Sequence, residues 1–195
     1  VSDGLWRIPP DLVAHGLDYD RRRSGGMTLH LRCHLSIERQ VRAIGATWLD
    51  QQLVEGKRPG HAFGFAASVE SALKSREDFL VEKGFAQRQG AQTLVTPSVL
   101  ARLRETELSR AAHALSAEVR LPHRPVPDGT RASGTYRRSV QLVSGRFALL
   151  DNGLGFSLVP WRPVLEKQLG RSISAVIRGA HVVWHLGRSR TLSIT

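Results

Sequence analysis

Residues 134–170, GTYRRSVQLVSGRFALLDNGLGFSLVPWRPVLEKQLG, decide how the rest of the chain is understood. Apolar residues alternating between turn-forming pairs predict three short strands, 135–143, 146–150 and 156–159, joined at Ser144-Gly145 and at Asp151-Asn152-Gly153. Glycine and asparagine reach positive φ at little cost, so both connections can be tight and antiparallel. Pro160 ends the third strand. Pro163 falls where a first helical turn accepts a residue without an N–H, which predicts a helix over residues 162–169 stopped by Gly170. Along the first strand the alternation turns Tyr136, Val140 and Leu142 toward the core, with Arg138 on the same side near the rim. Arg137, Ser139 and Gln141 then face outward.

Downstream, strands over residues 172–178, 181–186 and 191–194 alternate with turns at Gly179-Ala180 and Gly187-Arg188. Five or six short strands with one inserted helix predict a small β-barrel domain over residues 130–195, in which closure would remove the sheet edges. Pro160, Trp161, Trp184 and Tyr136 are its expected structural residues, both tryptophans buried and not stacking surfaces.

Upstream, residues 121–129 hold three prolines in LPHRPVPDG and form a connection. Before it, residues 36–120 read as a helical module with a hairpin. A first helix starts at Ser36, whose hydroxyl would cap it, and carries Ile37, Val41, Ile44, Trp48 and Leu53 on one stripe, interrupted by Gly45. A second covers residues 65–83, with Phe65, Val69, Leu73 and Leu80 inward. A hairpin turning at Gln89-Gly90 and a helix from Pro97 or Ser98 to Val119 complete a module suggestive of a winged helix, although the order of its elements is not the usual one for that fold. On that last helix Arg102, Arg104 and Arg110 alternate with Glu105 and Glu107, which is the pattern of a solvated face. Residues 1–35 form an N-terminal extension or linker, with a short strand over residues 28–35. The expected class is therefore α+β.

Charge is the strongest compositional signal. The chain carries 28 Lys+Arg against 17 Asp+Glu, a net of +11. Residues 121–195 alone hold 11 basic and 3 acidic side chains, and all the basic ones except Lys167 are arginine. Arginine's planar fork suits phosphate oxygens, so nucleic acid is the expected partner of the β part. Strand alternation and turn position nominate Arg137, Arg146, Arg171, Arg178, Arg188 and Arg190 as its contacts. No stretch approaches the ~18 apolar residues of a membrane helix. The start, VSDGLWRIPPDL, lacks the features of an export signal, and Cys33 is the single cysteine; together these predict a cytoplasmic protein.

The run SGTYRRSVQLVSGRFALLDNGLGFSLVPWRPVLEKQLGRSISAVIRG, the strand around Trp184, the closing GRSR and the upstream LSIERQVRAIGATWLDQQLV together resemble the C-terminal domain of unknown function of relaxase/mobilization-nuclease proteins of conjugative elements. The resemblance runs from about Leu35 to the C-terminus. It implies DNA as a partner, conjugation proteins as further partners, and a nuclease joined upstream through the N-terminal segment. Relaxases cut with a tyrosine and a metal on a His-hydrophobic-His pair plus a third histidine. That constellation is missing here: no two histidines stand two residues apart, and the tyrosines are Tyr19 and Tyr136.

Other chemistry finds no footing. There is no GxxxxGK[ST], GxSxG or HExxH. His30, Cys33 and His34 lack the second ligand pair of a zinc site, and His181 and His185 read as a packed or surface pair. The expectation is a non-catalytic accessory region with no cofactor, metal, membrane insertion or small-molecule substrate, which binds DNA through arginine–phosphate contacts. The alternative is a protein-interaction module that docks the nuclease to the transfer machinery. Salt dependence of DNA binding separates the two.

Overall fold

In the structure, a computed structural model that describes residues 33–59, 63–90, 92–178 and 181–186, the helices are α1 (Ile37–Val41), α2 (Trp48–Val54), α3 (Phe65–Glu82) and α4 (Pro97–Val119). The strands are β1 (Gln87–Gln89), β2 (Gln92–Leu94), β3 (Arg131–Leu142), β4 (Gly145–Asp151), β5 (Phe156–Pro160), β6 (Ser172–Arg178) and β7 (His181–Leu186). These described residues fall in one compact unit. The mixed class is as expected. None of the described helices is long and apolar enough to cross a membrane.

The single first helix divides into α1 and α2. Gly45 adopts a φ of +153°, and a Cβ there would lie 2.7 Å from both Glu107 Oε2 and Val143 Cβ, so the chain passes flat against its neighbours. Thr47 then opens α2 through a capping box with Asp50, whereas the Ser36 hydroxyl makes no cap bond to α1. On α3 the inward stripe runs through Val69, Ala72, Leu73, Arg76, Phe79 and Leu80. Phe65 is on the same stripe but 73% exposed, because the core that receives it begins only at Val69. Residues 33–35 carry no strand; the rest of that expected strand, Tyr19, His30 and the expected strand over 191–194 lie outside the described residues.

The C-terminal sheet is open, with order β5-β4-β3-β6-β7, which corrects the expected barrel. Two features keep it from closing. β3 pairs β6 only over Arg131–Thr135 and β4 only from Thr135 onward, so the two flanks are displaced along it. The outer edge of β5 is also taken, since Arg124 N–H donates to Phe156 O (2.7 Å) and Phe156 N–H to Pro122 O (3.0 Å). The proline-containing connection thus lies along the sheet edge.

A bulge between Tyr136 and Arg138 reverses the alternation of β3. Tyr136 packs with Ala132, Ala148, Leu150, Val159 and Ile173 on one face, while Val140 and Leu142 pack with Phe147, Leu149 and Leu158 on the other. Tyr136, Val140 and Leu142 therefore do not share the one side that unbroken alternation predicts. The second face is covered over β4 and β5 by Ala112 and Leu115 of α4, and Arg138 reaches Glu118 of the same helix at 2.7 Å. On the first face the expected helix is a 3-10 turn, Pro163–Gln168, tight enough to drive Leu165 fully into the core.

Candidate nucleic-acid interface

Helix α4 covers only the β4–β5 side of the sheet, and among the described residues no element covers the same face of β3, β6 and β7. Directly paired residues of an antiparallel ladder share a face, so the register gives this surface row by row. Arg178 stands beside His181; Arg131 beside Val176 and Val183; Ser133 beside Ser174 and His185; Thr135 beside Ser172. The alternate residues Ala132, Ile173, Ala175, Ile177, Val182, Trp184 and Leu186 all pack on the opposite face. β3, β6 and β7 contribute no acidic side chain to this open face; Asp151 of β4, paired with Thr135, stands at its border and is held by Arg137, and Val183 at the centre is 53% exposed. Serine and threonine favour a strand whose outer side is wet, so composition and exposure agree.

The expected contact residues separate on this framework. Arg178 belongs to the open face. Arg137 is the extra residue of the bulge, and its guanidinium is held by Asp151 at 2.9–3.0 Å. Arg146 bonds Ser139 Oγ (2.8 Å), lies 3.9 Å over the Trp161 ring and approaches Glu166 at 4.0 Å. Both are exposed, yet both are already engaged. Arg171 is exposed, with no ion pair among the described residues, beside the 3-10 turn and away from the open face. Arg188 and Arg190 lie outside the described residues.

The tryptophans belong to the scaffold. Trp184 points into the core with its Nε1 buried and unbonded, and Trp161, half-buried, donates from Nε1 to Tyr136 Oη at 3.0 Å. Pro160 ends β5 opposite Phe147. His181 and His185 are exposed on the open face about 13 Å apart along the strand, too far to share a ligand. Cys33 is half-buried, and among the described residues no three His, Cys, Asp or Glu side chains gather as a metal site would require.

Sequence reasoning missed Arg131 and Arg124. The expected strand begins at Thr135, whereas β3 begins at Arg131 and places that residue on the open face. Arg131 and Ser133 also line a groove of about 400 Å³ at the end of the sheet, bounded by His123–Pro127, Thr130, Asn152 and Ser157. Its lining contains no acid. Arg124, Arg131, Arg162, Lys167, Arg171 and Arg178 are exposed and make no ion pair within the described chain. The one signal that could have found the groove residues is the absence of any Asp or Glu from residues 129–150.

No curated protein and no solved structure matches this chain. One family does, over residues 1–193, nearly the whole length, and the chain therefore belongs to the family described as protein of unknown function (DUF3363).

Proposed function

We propose that this chain is a non-catalytic DNA-binding region, accessory to a relaxase or mobilization nuclease, that holds the nucleic-acid backbone on the open face of β3, β6 and β7. The absence of acidic side chains from these three strands carries the reading. Two guanidiniums with no ion pair among the described residues, two imidazoles and a row of hydroxyls stand there within one sheet surface, and the one bordering carboxylate, Asp151, is already matched by Arg137. Arginine–phosphate contacts of this kind supply affinity with little choice of sequence. The relaxase resemblance of the segment from Leu35 onward supports DNA as the polymer.

Binding to a random-sequence duplex titrated with salt tests this. Each phosphate contact removed lowers the slope of log K against log salt concentration by about one. Arg131→Gln and Arg178→Gln are expected to do so singly and by about two together. Affinity indifferent to salt and to both changes would overturn the reading in favour of a module that docks on an acidic protein partner.

A further inference from the structure

The groove at the end of the sheet differs in chemistry from the face it adjoins. Four of its polar side chains, Arg124, Arg131, Ser133 and Asn152, keep donors that no group of the described chain occupies. The Arg124 and Arg131 guanidiniums and the Ser133 hydroxyl make no hydrogen bond within the described chain, and Asn152 has its carboxamide oxygen occupied by Leu154 N–H (3.0 Å), which leaves its NH₂ to donate. Thr130 and Ser157 spend their hydroxyl protons on the carbonyls of Pro127 (2.6 Å) and Arg124 (2.8 Å). A wall that offers donors and no carboxylate selects an anion over a cation or a neutral polar group.

Arg124 is also held in place. A Cβ on Gly155 would lie 2.6 Å from Pro122 O and 3.0–3.1 Å from Arg124 Cγ and Cδ, so the arginine stem rests directly on that glycine. The same residue's N–H is tied to β5, and His123 beside it has its ring 5.2 Å from Phe156. Burial holds the His123 imidazole below its ordinary pKa, so near neutral pH it adds an uncharged wall and not a further cation. Pro125, Val126 and Pro127 add an apolar part to the same lining. A volume of about 400 Å³ exceeds what a lone phosphate fills and lies within the usual range of small-molecule sites.

We propose that the groove is a nucleotide subsite, in which Arg124 and Arg131 grip one phosphate while the sugar and base lie against His123 and the proline-lined wall. The inference rests on the DNA-binding reading and sharpens it: Arg131 is the link between the open face and the groove, so one nucleotide of the bound strand is held in the groove while the strand's other phosphates follow β6 and β7.

Equilibrium dialysis of the whole chain against a deoxynucleoside 5′-monophosphate, the corresponding nucleoside and inorganic phosphate tests it, with duplex binding measured in parallel. The monophosphate is expected to bind at least tenfold more tightly than either fragment. Arg124→Gln should weaken the monophosphate about tenfold or more, Arg124→Lys by less because charge is kept while the fork is lost, and Arg178→Gln should leave it unchanged. Unchanged melting temperatures for these exposed positions separate lost contacts from lost folding. Equal binding of nucleotide and nucleoside, or indifference to Arg124→Gln, would overturn the subsite, and with salt-dependent duplex binding intact the DNA reading would stand without it. Monophosphate binding with no gain in affinity for any oligonucleotide would overturn both the DNA reading and the link to a strand.

Discussion

Arg76 and Asp50 are both fully buried and meet through two parallel bonds, Nε to Oδ1 at 2.8 Å and an Nη to Oδ2 at 2.9 Å. The guanidinium goes on to donate to the carbonyls of Gln40, Val41, Ala43 and Gly45 at 2.7–3.1 Å. Asp50 in turn accepts from Thr47 N–H and Oγ1. The pair therefore satisfies the backbone left bare where α1 stops and α2 begins, and it anchors that break to α3. Buried ion pairs of this kind hold a geometry more than they add net stability.

Removing either partner strands the other charge. Asp50→Ala or Arg76→Ala is expected to cost about 3–5 kcal/mol, read from the denaturant midpoint. Arg58, whose exposed guanidinium reaches Glu70 and Glu77, provides the contrast: Arg58→Ala should cost under about 1 kcal/mol. Equal costs at the two sites would show that the buried network does not hold the junction.

Glu107 joins the helices to the sheet. Its carboxylate accepts from Val143 N–H and from Ser144 N–H (3.1 Å) in the turn between β3 and β4, and it lies where Gly45 leaves room. Burial raises its pKa, opposed by those hydrogen bonds. A carboxyl with a raised folded-state pKa binds its proton more tightly when folded, so its contribution to stability falls as pH rises from the unfolded pKa through the folded one. The stability of the wild-type chain minus that of Glu107→Gln should therefore decline as pH rises through and above the ordinary glutamate range, measured as denaturant midpoints. A difference that is flat or grows with pH would rule out this account.

Arg137 and Arg178 offer a comparison of two arginines with different freedom. Asp151 holds Arg137, and its own pKa is lowered, first by the Gly153 N–H and then by Arg137. Among the described residues Arg178 has no such partner. Arg137→Gln should therefore reduce the salt slope of DNA binding by well under one, where Arg178→Gln reduces it by about one. Arg137→Gln should also weaken the fold slightly, and that small loss should vanish as pH falls through the depressed Asp151 pKa. An Arg137 effect on binding as large as that of Arg178 would place the DNA across the bulge as well as the open face.

The amino-acid sequence by itself determined the elements and the excess of charge. Period-two alternation and the Ser144-Gly145 and Asp151-Asn152-Gly153 turns placed β3, β4 and β5 within a few residues, because local backbone preferences and side-chain alternation act over two to four positions. Pro163 marked the 3-10 turn, and the hairpin at Gly90 formed where a glycine of positive φ allowed it. The concentration of arginine after residue 120 was equally plain.

Tertiary structure decided which arginines are free. Free arginines depend on contacts between residues far apart in the chain: Asp151 with Arg137, Glu118 with Arg138, Trp161 with Arg146. Alternation gives the parity of a strand only while the ladder is regular, and the bulge at Arg137 changed that parity halfway along β3. Whether the sheet closes depended on its edges, and the connection after α4 occupies the edge of β5 through backbone bonds, the Arg124 N–H and the Pro122 carbonyl, that no side-chain pattern records. The open face and the groove exist because α4 covers one half of the sheet and not the other, a fact of packing that no local pattern in residues 130–186 records.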